Sequence, residues 1–227
     1  MNVMIIDTET AGSIGFPLPY DVGYEIINTA TKEVKCSRSY VVAEIFLDKD
    51  LMSSAYYAEK VPQYWEDIKS GKRKMMKYNN IRFQILKDLK EFDCNKVGAY
   101  NMRFDDRATK NDAKKILNLW WFFPKRVQFF DIWTMACTSI LRSKRFIDWA
   151  LKNNCVSPSG NIRTNAETAY QYITKNLDFA ESHTGLEDVE IEKEIFFAVL
   201  RSRMIYEENI IGSPWRIPQE YYAELYL

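Results

Sequence analysis

The N-terminal segment NVMIID, at residues 2–7, restricts the fold more than any other part of the chain, because its apolar residues run without polar alternation. A short continuous apolar run predicts a strand that is buried on both faces and is therefore central in its sheet. The run leads directly into Asp7, Thr8 and Glu9. The sequence thus predicts a central strand with two carboxylates at its C-terminal end.

The remaining elements predict one α/β domain over residues 1–227. Further strands are predicted at 21–29, 33–43, 96–100 and 127–130, with a loop at 12–19. Helices are predicted over parts of 44–78, over 79–92 capped by Asn79 or Asn80, after 102, over 131–141 capped by Asp131, over 164–173 with a Thr164–Glu167 capping box, and over 185–208. We expect a mixed sheet of five strands, and a C-terminal tail at 206–227 packed irregularly on the body.

Composition excludes several classes of function. The 31 basic and 31 acidic residues balance, so a nucleic-acid binder would have to rely on a local patch of charge. Four scattered cysteines and one histidine exclude most zinc sites, and they predict buried free thiols. Any metal would be held by carboxylates, which favours Mg²⁺ or Mn²⁺. The sequence shows no membrane-spanning run and no secretory leader, so we expect a cytoplasmic protein.

Asp7 and Glu9 form the first candidate site. Residues two apart in a strand point to the same side, so both carboxylates face one point. Two carboxylates there repel unless a proton or a divalent cation lies between them. The alternative is a polar strand end with solvated acids.

The second candidate site is YNMRFDD, at residues 100–106. It follows a predicted strand and leads into a helix, so Asp105 and Asp106 lie at a sheet edge, where open α/β sheets bind ligands. The alternative is helix capping by Asn101, or an acid in the first turn of the helix.

The third candidate site begins at His183. Thr184 and Glu187 predict a capping box, which puts His183 just before a helix and Asp188 in its first turns. Histidine is the side chain that titrates near neutral pH, although a lone histidine is also common in surface and capping roles. Taken together, the three sites predict four acids and one histidine at one end of a sheet. Two Mg²⁺ ions about 3.5–4 Å apart could then clamp a phosphodiester there.

These motifs resemble the DEDDh branch of the DEDD exonuclease superfamily, which includes the proofreading subunits of bacterial replicative polymerases. DTE at 7–9, NMRFD at 101–105 and HTGLED at 183–188 resemble its three motifs, with Gly185 where alanine is frequent. Segments at 54–71, 129–136 and 161–173 are similar to phage or prophage exonucleases. The resemblance spans about residues 2–205, and a phage origin would imply the host cytoplasm.

The resemblance implies a ribonuclease H-like fold, with a five-stranded mixed sheet of order 3-2-1-4-5 flanked by helices. It implies that Asp7, Glu9, Asp105 and Asp188 hold two Mg²⁺ or Mn²⁺ ions and that His183 is the general base. Asp105 rather than Asp106 follows from the spacing of the family motif. The expected reaction is 3′–5′ hydrolysis of single-stranded or frayed DNA, which releases nucleoside 5′-monophosphates.

Substrate binding is assigned to polar residues around these motifs. The assigned residues are Thr8, Thr10, Asn101, Lys72 and Arg73. The basic segment 69–77 is either a phosphate-contacting edge or a solvated loop, and RSKR at 142–145 presents the same choice. Two other functions stay open, an exoribonuclease and a catalytically inactive nucleic-acid-binding module on the same fold.

Overall fold

The structure, a computed structural model, describes residues 1–226 as a sheet flanked by helices. The strands are β1 (Asn2–Ser13), β2 (Phe16–Asn28), β3 (Val34–Val42), β4 (Lys74–Met76), β5 (Cys94–Ala99) and β6 (Gln128–Asp131). The helices are α1 (Ala43–Phe46), α2 (Lys49–Met52), α3 (Val61–Ser70), α4 (Tyr78–Glu91), α5 (Met102–Leu117), α6 (Ile132–Thr138), α7 (Lys144–Lys152), α8 (Ala166–Thr174), α9 (Gly185–Ser202) and α10 (Arg216–Tyr226). Over the described residues, no helix has both the length and the apolarity that crossing a bilayer requires.

The hairpin of β1 and β2 is longer than the sequence predicts. The ladder runs to the pair Ser13 and Phe16, and only residues 14 and 15 form the turn, so the loop predicted at 12–19 is wrong. Proline is tolerated in this stretch because β2 begins to pair with β3 only at Asp21, which leaves the earlier part of β2 on an edge. The glycines and prolines of this segment therefore lie in a β-hairpin at the edge of the sheet rather than in a loop.

The sheet of the described chain has six strands instead of the predicted five, in the order β4-β3-β2-β1-β5-β6. The five predicted strands keep their predicted order, and β4 is added beside β3. β2 is antiparallel to both neighbours, whereas β5 is parallel to β1 and β4 is parallel to β3. Only three residues of the basic segment 69–77 form β4, which is too short for a period of two to be recognised.

Several predicted helix caps differ from the structure. α4 begins at Tyr78, so neither predicted asparagine caps it. Asp131 caps α6 as predicted, by accepting two backbone N–H bonds at 2.9 and 3.2 Å. The box predicted from Thr164 and Glu167 does not form at α8, because both side chains accept hydrogen bonds from distant parts of the chain.

The C-terminal tail is more regular than predicted, because α10 lies within it. The Gln219 side chain donates to the Ile162 carbonyl at 2.9 Å and accepts from the Ile162 N–H at 3.1 Å. These two hydrogen bonds hold α10 against the segment that precedes α8. α9 ends at Ser202, earlier than predicted, and Arg203 adopts a left-handed φ of 56°. Leu227 lies outside the described residues.

The described chain forms two compact units. The first comprises residues 1–98, 103–128 and 182–189, and the second comprises residues 99–102, 129–181 and those from 190 onward. The first unit buries the apolar residues of β1 and β2, whereas the second buries Phe130, Phe146 and Phe196. All four cysteines are buried and free, as predicted. The single domain over 1–227 stays a prediction.

Candidate active site

Asp7 and Glu9 lie within β1 rather than at its end, because the hairpin continues to Ser13. The predicted strand terminus at these acids is therefore wrong. Alternation along the strand still gives the two acids a common face, on which both are partly exposed, while Thr8 between them is buried. The ladder shifts its register directly after Glu9, and such bulges re-aim side chains beside sites.

Asp105 is held against β1 by a side-chain hydrogen bond. It lies in the first turn of α5, is 4% exposed, and accepts a bond from the Thr8 hydroxyl at 2.8 Å. Its neighbour Asp106 instead pairs with Lys110 at 2.6 Å on the surface of the helix. Asp105 therefore lies against β1 whereas Asp106 does not, and the assignment of Asp105 to the site stays a prediction. The Thr8 hydroxyl positions a carboxylate in this structure.

The beginning of α9 holds Asp188 in a defined orientation. One carboxylate oxygen accepts the Thr184 backbone N–H at 3.1 Å, and the other accepts the Ser182 hydroxyl at 3.1 Å. The predicted capping box is altered, since Thr184 donates its hydroxyl to Glu187 at 2.8 Å while Asp188 takes the backbone N–H. His183 precedes this turn with a left-handed φ of 50°.

Three of the predicted site residues converge in the first unit. Ligand atoms of Glu9, His183 and Asp188 all lie within 4.8 Å of one another. The His183 ring stacks on Tyr57, with ring centroids 4.1 Å apart and planes at 11°. Carboxylate oxygens suit Mg²⁺ or Mn²⁺, so this donor set fits the predicted ions. A ring nitrogen of His183 therefore lies beside the two carboxylates.

Two glycines allow α9 to approach the sheet closely. A Cβ placed on Gly23 would lie 2.2 Å from the backbone nitrogen of Leu186, which is far inside normal contact. A Cβ on Gly185 would lie 3.3 Å from the carbonyl oxygen of Asp7. The Gly185 N–H also donates to the Asp21 carboxylate at 2.9 Å. Backbone contact therefore sets the position of His183 and Asp188 relative to β1.

Arg73 lies inside the protein, which corrects its assignment to substrate binding. The residue is 2% exposed, and its guanidinium bonds to Asp21 at 3.0 Å, Ser39 at 2.9 Å, Asp67 at 2.9 Å and Glu187 at 2.6 Å. Arginine presents several donors in a fixed planar fork, which suits it to join several carboxylates at once. Arg73 therefore links β2 to the first turns of α9 instead of presenting its charge to a phosphate.

This buried network perturbs the acids that it joins. Burial alone would raise the pKa of Glu187, but hydrogen bonds from Lys72, Arg73 and Thr184 lower that pKa to about 2. Burial raises the pKa of Asp21, and the Arg73 guanidinium opposes that rise. A charged Arg73 beside a charged Glu187 thus holds the start of α9 in place at neutral pH.

The other residues assigned to substrate binding occupy varied positions. Lys72 is about half exposed and pairs with Glu187 at 2.7 Å. Thr10 is partly exposed on β1 beyond the register shift. Asn101 has a left-handed φ of 80°, and its backbone N–H donates to Asp131 at 3.3 Å in the second unit. For these residues, and for Thr8, substrate binding stays a prediction.

Sequence reasoning missed three residues that position the site, namely Asp21, Gly23 and Tyr57. The first two break an otherwise apolar strand pattern, and that interruption was a detectable sign of a special contact. Tyr57 lies outside the three acidic motifs, within segment 54–71, and only the fold reveals its stacking on His183.

Comparison with known proteins identifies the fold. No protein-family model and no curated protein match the sequence significantly. A 3′-exonuclease solved in a structure of 3′-end-specific recognition of a histone mRNA stem-loop matches with a TM-score of 0.58 and 10% identity, over 94% of this chain and 88% of that one. The nuclease domain of 3′hExo, a DEDDh family member bound to rAMP, matches with a TM-score of 0.52 and 13% identity, over 92% of this chain and 97% of that one.

E. coli Exonuclease I in complex with a dT13 oligonucleotide also matches, with a TM-score of 0.54 and 13% identity, over 89% of this chain and 41% of that one. At such identities the likeness concerns the fold alone. The chain therefore shares its ribonuclease H-like fold with these exonuclease structures, which agrees with the fold implied by the resemblance apart from the sixth strand.

Proposed function

We propose that this chain is a metal-dependent 3′–5′ exonuclease of the DEDDh type, acting on single-stranded or frayed DNA. The observation that carries the proposal is the convergence of Glu9, His183 and Asp188 within 4.8 Å. The structural neighbours support it, since they include a DEDDh family member and E. coli Exonuclease I. A module that only bound nucleic acid would gain nothing from carboxylates clustered against phosphate.

Asp7, Glu9, Asp105 and Asp188 would hold two Mg²⁺ or Mn²⁺ ions. When bound, such ions neutralise charge on the phosphate and favour ionisation of water. The protein contributes rigid donors, since Thr8 holds Asp105 while Ser182 and Thr184 hold Asp188. Acids that are oriented before the substrate arrives need less reorganisation during the reaction.

His183 would accept a proton from the attacking water. The water oxygen bonds to phosphorus as the bond from phosphorus to the 3′ oxygen of the preceding nucleotide breaks. This step releases a nucleoside 5′-monophosphate. The departing 3′ oxygen takes a proton from solvent and becomes the 3′-hydroxyl of the shortened strand, and His183 later returns its proton to solvent. The stacked Tyr57 ring limits the orientations of the His183 imidazole and so keeps it directed to the site.

RNA is the second candidate substrate. One structural neighbour is a 3′-exonuclease that recognises a histone mRNA stem-loop, and another is bound to rAMP. The same chemistry cleaves both nucleic acids, and contacts to the 2′-hydroxyl decide between them. A phage-type origin, a cytoplasmic location and substrate contacts from Thr10, Asn101 and Lys72 belong to the proposal as well.

A turnover assay tests the proposal. An oligonucleotide labelled at its 5′ end should give a descending ladder with Mg²⁺ or Mn²⁺, and chelator should abolish the ladder. A blocked 3′ terminus should also abolish it, and a matching RNA measures the preference between DNA and RNA. Activity that survived exhaustive chelation would contradict the metal assignment, and early internal cuts in a circular single strand would contradict the exonuclease assignment.

A further inference from the structure

The second unit contains an open cleft of about 800 Å³. α7 contributes Arg145 and Trp149 to its lining, α8 contributes Tyr172, Lys175 follows α8, and α9 contributes Arg201. Clefts of this volume are typical of ligand sites in proteins. Its lining shares no residue with the candidate active site.

The charge of this cleft is positive and uncompensated. Among residues 1–226, no carboxylate pairs with Arg145, Lys175 or Arg201 within salt-bridge distance. The acid that lines the cleft, Asp148, forms an ion pair with Lys144 at 2.9 Å and accepts a hydrogen bond from the Tyr226 hydroxyl. Cations that are held together without a counter-charge are stabilised by a bound anion.

Lys175 shows the effect of this crowding. It ends α8 with a left-handed φ of 61°, which turns it back across the aromatic side chains of the cleft. Its Nζ lies 3.9 Å from the ring centroid of Tyr172 and 5.8 Å from that of Trp149. Burial, and then the nearby Arg145 guanidinium, lower the pKa of Lys175. An anion entering the cleft would relieve the repulsion between the two cations.

The aromatic side chains provide a second recognition surface beside these charges. The rings of Trp149 and Tyr172 lie 5.3 Å apart, and the buried Phe146 supports both from the protein interior. Unpaired bases stack on such rings irrespective of sequence, while lysine and arginine contact the adjoining phosphates. Aromatic rings beside cations from α7, α9 and the residue after α8 therefore match alternating bases and phosphates better than they match a simple anion.

We propose that this cleft binds a segment of single-stranded nucleic acid, with a base on Trp149 or Tyr172 and phosphates at Arg145, Lys175 and Arg201. The ligand class rests on the proposed function, but binding at the cleft does not require hydrolysis. The cations come from separate segments of the chain and so can contact several phosphates of one strand. A free mononucleotide carries only one phosphate and would use part of the cleft.

The test measures binding of a fluorescent 12-nucleotide oligothymidylate to the full chain in chelator, where hydrolysis should not occur. Replacing Lys175 and Arg201 together by glutamate should weaken binding at least about tenfold, and it should make the dependence on salt shallower by roughly 0.7 per lost phosphate contact. The matched control is Lys152→Glu, which makes the same charge change on an exposed part of α7 outside the cleft. This control should bind like the wild type.

Thermal melting checks that each variant is folded. If the glutamate variant does not fold, the corresponding glutamine variant of Lys175 and Arg201 replaces it. Wild-type affinity in a folded variant would overturn the proposal, whether or not the chain hydrolyses nucleic acid. Displacement of the strand by adenosine 5′-monophosphate at equal nucleotide concentration would also overturn it. A chain that binds through the cleft but shows no hydrolysis would contradict only the proposed function.

Discussion

Replacement of Gly23 by alanine should displace the start of α9 and reduce turnover. The added Cβ would lie 2.2 Å from the Leu186 nitrogen and 2.3 Å from the Gly185 carbonyl carbon, whereas ordinary contact begins at 3.4 Å. Because these atoms are backbone, α9 must retreat by more than 1 Å. Misplacement by about 1 Å can cost about 10²-fold in rate, and the displaced turn carries His183 and Asp188.

The assay compares single-turnover hydrolysis and thermal melting of the wild type and Gly23→Ala. Gly15→Ala is the matched control, because a Cβ at Gly15 meets nothing within 4 Å. We expect the control to keep the wild-type rate and Gly23→Ala to lose about 10²-fold, with about 1–3 kcal/mol of destabilisation from overpacking. A folded Gly23→Ala variant with the wild-type rate would refute the close-approach argument.

Two further variants test buried charges. Arg73→Met leaves Asp21 buried without its cation and should lower the free energy of unfolding by about 3–5 kcal/mol. The control Lys72→Met should lower it by at most about 1 kcal/mol. Equal losses in denaturant titrations would contradict the role of Arg73 in the buried network. Burial raises the pKa of Asp112 to about 8, so the folded state keeps a proton that the unfolded chain releases above about pH 4. The stability should therefore fall as pH rises from about 4 to 8 and then level off. Asp112→Asn should flatten this decline in melting curves. Asp106→Asn, the control at a partly exposed acid of the same helix, should not.

The sequence predicts the central part of the fold well because the information there is local. The apolar run at 2–7 identifies the central strand, and the polar residues after it identify the first motif. Thr184 likewise predicts where α9 begins, because a cap and its helix lie within a few residues of each other. The order of the five predicted strands follows from the resemblance of the motifs to a family.

The parts that sequence reasoning missed depend on contacts between distant residues. Arg73 bonds to Asp21, 52 positions away, and to Glu187, 114 positions away. A basic run such as 69–77 predicts an exposed edge, because local composition cannot reveal acids that only folding brings near. The stacking of Tyr57 on His183 and the three-residue β4 likewise depend on the assembled fold.

The most direct test of the account is the single-turnover rate of His183→Ala against the wild type, on a 5′-labelled single strand at neutral pH with Mg²⁺. Loss of a general base should lower the rate by about 10²–10⁴, while the variant still binds metal and strand. A loss of rate in this range, with binding of metal and strand unchanged, supports His183 as the proton acceptor. Full activity of His183→Ala would contradict the account, and the histidine would then only flank α9.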